Sequence, residues 1–412
     1  MTSRERVLNA INHVEPDGLP VDLGATPSSG ISAIAYDNLL ACLPLKNRRN
    51  WVYDVVQQVT QPTNEFLDYF QIDTVDLGRT FNTQDSDWYD TVLPDGGTAQ
   101  QPVWFRPEKQ PDGSYLAFQG KEAIARMPAT AISYDQIVFP FIDGYPGEYG
   151  RNLDDAMALI HWAALVHSPW DHASDPGFWE TLRKKALKLR ASSDRAIVLS
   201  AGCNLFEWGT FLRRLDNFLM DLVCTPGEVE RFLDALMVRH LASLEKICQA
   251  VGDVIDIIRL GDDLGMNTGP FMSPETYRTL FKPRQKILCD YIKGHSTMHT
   301  FLHSCGSIYQ LIPDLIEAGF EILNPVQTNA RDMQPQRLKD EFGKDVTFWG
   351  GGADTRSILN LATPDQVRDH VRANIKILAP GGGFIFNPIH NILPDVPPEN
   401  IIAMFEAVDA YR

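Results

Sequence analysis

A chain of 412 residues, 44% hydrophobic and 22% charged, has apolar material for a large core and is neither disordered nor collagen-like in composition. Its 53 acidic against 37 basic residues give a formal charge of -16, which repels polyphosphate backbones and anionic lipid surfaces and argues against nucleic acid or membrane as partner. Six cysteines without framework spacing (42, 203, 224, 248, 289 and 305) read as free thiols of a reducing compartment.

The opening TSRERVLNAINHVEP pairs Thr2 with Glu5 as a capping box and continues as an amphipathic helix. It lacks the apolar centre of a secretory signal, and no apolar run is long enough to span a bilayer, so a cytoplasmic protein is expected. GLPVDLG (18 to 24) and IDTVDLG (72 to 78) read as short strands. Residues 80 to 150 break the rhythm with Asp-Gly turns and aromatic runs such as PVWFRP, which predicts inserted hairpins.

From about residue 190 the alternation is regular. The runs RAIVLSAG (195 to 202), VIDIIRLGDD (254 to 263), STMHTFLHSCG (296 to 306), FEILNPV (320 to 326), VTFWGGG (346 to 352) and GFIFNPIHN (383 to 391) are apolar throughout, as parallel strands buried on both faces are. Between them, Thr225-Pro226, Ser273-Pro274 and Thr363-Pro364 announce helices by a cap followed by proline. Eight parallel strands with outer helices predict an α/β fold: a single TIM (β/α)8 barrel over 1–412, with the hairpin-rich insertion at 80–150 capping its mouth. Trp88, Trp104 and Phe105 in that insertion suit either an apolar lid or ordinary strand packing.

Barrels of this kind carry their active sites at the C-terminal ends of the strands. The polar residues closing the runs are therefore the candidates: Asp22, Asp76, Cys203, Asp262, Asp263, His303, Cys305, Asn324, Asn387 and His390. His303 and Cys305 offer zinc two of its preferred ligand types, and His390 is the best placed histidine for a third, which leaves one tetrahedral position open. His299 shares their face but lies lower, where packing is expected. Asp262 and Asp263 point to opposite faces, so one at most reaches the mouth, as base, fourth ligand or turn cap. Cys203 reads as a ligand or a small buried hydrophobe. Asp22, Asn324 and Asn387 are taken as substrate-binding. GGGAD (350 to 354) and APGGGF (379 to 384) lack the context of a phosphate cradle.

The start TSRERVLNAINHVEPDGLPVDLG, the segment FLHSCGSIYQLIPDLIEAGFEILNPVQ and the ending GGGFIFNPIHNILPDVPPENI together resemble the uroporphyrinogen decarboxylase superfamily. HSCG is more similar to the zinc-dependent corrinoid methyltransferases of that superfamily than to its decarboxylases. The resemblance implies Zn2+ at His303 and Cys305, with His390 where those methyltransferases carry Cys. It also implies a corrinoid co-substrate, methylcobalamin, on a separate corrinoid protein, and a small methyl donor or acceptor of thiol, methoxy or methylamine type. The decarboxylases' Arg-rich segment after the first strand is replaced here by DLGATPSSG, which lacks charge partners for a polycarboxylate. Alternatives are a metal-free lyase acting on a carboxylated substrate through His390 with Asp262 or Asp263, and a non-catalytic module that binds a corrinoid or related tetrapyrrole. Acidic barrels are also compatible with a homodimer.

Overall fold

A computed structural model describes residues 1–165 and 167–412. The apolar runs form one parallel sheet of seven strands, which we label in chain order: β1 Thr74–Asp76, β2 Ala196–Gly202, β3 Ile257–Gly261, β4 His299–His303, β5 Ile322–Asn324, β6 Thr347–Trp349 and β7 Phe384–Ile385. Each strand pairs in parallel with the next. The expected first strand, 18 to 24, is instead a single bridge, Val21 to Phe386. Pro20 has no amide hydrogen and Val21 donates to the Asp73 carboxylate, so no regular ladder propagates there. The wall still closes. Phe386 N donates to Pro20 O, Asp22 N to Phe386 O, and Asp73 N to Val21 O, at 2.8 to 2.9 Å.

The strands are shorter than the apolar runs that announced them, with helices alternating outside. Ser273 caps the helix Pro274–Leu280 by accepting from Thr276 N at 3.1 Å. Thr363 and Gln366 form a capping box on Pro364–Leu378. Thr225 makes no such bond, so Pro226 alone marks the start of Pro226–Val251. At the N-terminal end of the barrel, the helix Ser3–Ile11 drives Val7, Ala10 and Ile11 against the inward residues Val198, Ile257, Phe301, Ile322, Trp349 and Ile385. One end is plugged by this apolar cluster, which leaves the C-terminal ends of the strands to hold a site.

Two further sheets, the first mixed and the second antiparallel, lie beyond the barrel wall. One pairs Trp88–Val92 with Thr98–Pro102 and also takes in Trp51–Asp54 and Val59–Gln61. The other contains Tyr115–Gln119 and Glu122–Met127. Trp88 stacks on Trp51 at 4.7 Å, and Phe105 packs edge-on against Tyr134 at 5.5 Å. These aromatics, with the half-exposed Trp104, build the sheets rather than line the cavity at the barrel mouth. Among the described residues, no helix is long and apolar enough to cross a membrane.

Candidate functional site

A cavity of about 210 Å3 sits at the mouth, walled almost wholly by polar side chains, among them Asp54, Glu207, Arg259, Asp263, His303 and His390. Its centre is built by HSCG. His303 ends β4 with its side chain inward, two residues beyond Phe301 of the barrel interior. Its Nδ1–H donates to Asn324 Oδ1 at 2.6 Å, while Asn324 Nδ2 donates to Trp349 O at 2.8 Å, which fixes the amide's orientation. The Nε2 lone pair therefore faces the cavity. Cys305 Sγ lies 3.5 Å from that Nε2, and Asp263 Oδ1 lies 3.6 Å from it while accepting from Cys305 N at 2.9 Å. Gly306, at φ 82°, turns the chain where a Cβ would meet Gly265 O at 2.3 Å, so only glycine closes this loop.

His390 arrives from the other side of the barrel, five residues past β7 rather than at its end, with a left-handed φ of 65°. The ligand atoms of His303, Cys305 and His390 all lie within 4.8 Å of one another. Tetrahedral zinc with bonds of about 2.0 to 2.3 Å holds its ligand atoms roughly 3.5 Å apart, so a contraction of about 1 Å completes the grip. His390 Nδ1 accepts from Asn391 N at 2.8 Å. Coordination through Nε2 with the usual Nδ1–H tautomer asks this ring to release that bond.

Both imidazoles are held in the neutral form that a metal ligand needs. Burial and Arg259 hold His303 down to about 3, and burial with the neighbouring His303 holds His390 down to about 3, so both rings are neutral and available as ligands. Burial and the charges of Asp263 and Glu207 push the Cys305 thiol well above its usual range. An imidazole lone pair, a sulfur and a carboxylate oxygen thus converge. This is a donor set that a divalent metal satisfies.

The remaining candidates separate into distinct places. Asp263 lines the cavity, whereas Asp262 turns away and accepts from Leu205 N and Glu207 N at 3.0 Å, capping the helix Phe206–Arg213. Asp22 is buried in the wall, accepting from Thr74 Oγ1 at 2.6 Å and Trp349 Nε1 at 2.8 Å. Asn387 donates to Asp22 O and Ser29 O, and so braces the loop that presents Pro27 and Ser28 to the cavity. Asn324 stands behind His303. Asp76 is buried off the cavity lining, with its carboxyl raised by burial to about 7. Cys203 is buried, and burial raises its thiol to about 12, as befits a packed side chain. His299, at the start of β4, bonds Glu321 Oε1 at 3.0 Å, away from the cavity.

Several lining residues went unread in the sequence. Glu207 is buried beside Asp263, and burial together with the charges of Asp263 and Asp262 raises it to about 8. Asn204 bonds its carboxylate, reaching in over Gly261, where a Cβ would meet Asn204 Nδ2 at 2.5 Å. Arg259 points inward from β3. Its signal was visible: a charged residue inside an apolar run of a strand buried on both faces. Asp54 enters from the outer sheet and accepts from Val56 N and Gln57 N at 3.0 Å.

Residues 207–411 match the family Uroporphyrinogen decarboxylase (URO-D). Two curated proteins named methylcobamide:CoM methyltransferase MtaA, from Methanosarcina barkeri and its strain Fusaro / DSM 804, are 28% and 26% identical over 160 residues. Each match covers 38% of this chain and 42% of the relative, so the chain spans about two fifths of the length of the curated relatives it matches. A solved structure described as a methyltransferase from Methanosarcina mazei superposes with a TM-score of 0.59 over 100% of this chain and 99% of its own, at 16% identity. That likeness is one of fold.

Proposed function

Because the chain belongs to the uroporphyrinogen decarboxylase superfamily and resembles its methylcobamide methyltransferases, we propose that it is a zinc-dependent methyltransferase, moving a methyl group between a small substrate and a corrinoid. The observation that carries this reading is the convergence of His303 Nε2, Cys305 Sγ and the His390 ring beside Asp263. His303, Cys305 and His390 would hold Zn2+. Bound there, the metal supplies Lewis acidity, keeping a substrate thiol as thiolate or polarising a methoxy or amine leaving group.

The chain's own residues do the rest. Asn324 holds His303 in the tautomer that exposes Nε2. Asp263 ties the Cys305 backbone and carries the base nearest the substrate position. Glu207, raised to about 8, holds a proton at neutral pH within the same cavity. A cavity of about 210 Å3 admits a small molecule but no macrocycle, so the corrinoid would approach from outside, presented by a partner corrinoid protein. The polar lining favours a thiol or another small polar substrate over an aromatic ether.

Metal analysis tests the reading. About one zinc per chain is expected, together with loss of the methyl-cobalt spectrum when zinc-loaded protein meets methylcobalamin and a thiol. A folded, metal-free protein would instead favour the lyase, and zinc without turnover the binding module.

A further inference from the structure

We propose that Arg259 is the carboxylate receptor of this cavity, so that the small substrate carries a carboxylate at one end and its reacting atom at the other. The proposal rests on the methyl-transfer reading only for the identity of the reacting end.

Arg259 stands on β3 directly across from Phe301, one inward position below the pair Gly261 and His303, and its guanidinium lines the cavity that His303 and His390 share. A guanidinium brought into a barrel interior is costly unless a counter-charge and full hydrogen bonding accompany it. Here neither does. Its one hydrogen bond is from Nη2 to Ser28 Oγ at 2.9 Å, Nε is enclosed without a partner, and among the described residues it forms no ion pair. Glu207 and Asp263 act on it at longer range. The Asp54 carboxylate is already taken by two amides and the Gln57 side chain.

Beyond the cavity lining, neighbours of Arg259 are also left without partners. Ser200 is its register partner on β2, and the Ser200 hydroxyl is buried without a partner, as is the Tyr53 hydroxyl, whose nearest charges include Arg259. A planar guanidinium with unused N–H donors is what a planar two-oxygen anion satisfies.

The test is equilibrium binding of 3-mercaptopropionate and its neutral amide, 3-mercaptopropanamide, to wild type, Arg259→Met and Arg259→Lys, each loaded with zinc and each stripped of it. Wild type is expected to prefer the carboxylate at least ten-fold. Arg259→Met should reduce the ratio to about one, and Arg259→Lys should restore part of it. Zinc content, read on the same preparations, should be unchanged and certifies a folded site. Equal affinity of wild type for acid and amide, or a preference that survives Arg259→Met, overturns the inference. A protein that takes up no zinc yet keeps the Arg259-dependent preference overturns the methyl-transfer reading and leaves this inference standing.

Discussion

His303 and Asn324 are register partners on adjacent parallel strands, and their side chains are joined by a 2.6 Å hydrogen bond from the imidazole Nδ1 to the amide oxygen. The ladder thus sets the tautomer of a candidate ligand, because Asn324 is itself oriented by Trp349 O from the next strand. Replacing such a supporting partner of a metal-bound imidazole commonly weakens the metal about 10- to 100-fold. Asn324→Ala is accordingly expected to lower zinc affinity by that factor in a chelator competition. Unchanged affinity would show that His303 needs no such support.

Cys305→Ala removes the one sulfur of the proposed centre. It is expected to reduce zinc to a small fraction of the wild-type content while circular dichroism stays the same. His390→Ala should also lose zinc, whereas His299→Ala, altered away from the cavity, should retain it. Equal zinc in all three would place the metal elsewhere.

Asp262 and Asp263 predict opposite phenotypes despite being neighbours. Asp262→Ala strips the caps from Leu205 N and Glu207 N at the start of Phe206–Arg213, an expected loss of about 1 to 2 kcal/mol in denaturant unfolding, with zinc retained. Asp263→Ala should leave stability nearly unchanged and depress activity. The reverse pattern would exchange their roles.

Glu321 sets an acid limit on stability. Burial raises its carboxyl, but the bonds from His299 and Thr300 N outweigh this and bring it down to about 2. A group depressed in the folded state contributes stability above its unfolded value, near 4.5, and that contribution fades as pH falls toward 2. Melting temperature should therefore drop over this window, and Glu321→Gln should flatten the drop. A variant as steep as wild type would assign acid lability to other carboxylates.

The barrel was legible because seven of its wall positions are apolar runs between capped helices, a pattern that packing on both faces enforces. HSCG was legible because it breaks that pattern at a strand end. What escaped notice depends on approach between distant segments. Whether Asp262 or Asp263 faces inward follows from strand phase, which two adjacent aspartates leave open. Glu207 looks like any first-turn glutamate until Asn204 and Asp263 close around it. Asp54 belongs to a strand held between residues 59–61 and 98–102, so its delivery to the mouth is a property of the outer sheet. Pro20 accounts for the eighth wall position being a single bridge rather than a ladder.

That bridge at Val21 carries a kinetic meaning. The seam joins the beginning of the chain to its last strand, with Asn387 bonded to Asp22 across a sequence separation of 365. Contacts between such remote segments form late, after the local strand–helix units have assembled. A nascent or C-terminally shortened chain would hold most of its wall yet lack the staple that shuts it. Amides of the seam are where native-state hydrogen exchange should find the barrel's earliest opening, and His390, which lies just beyond it, would leave the centre with it.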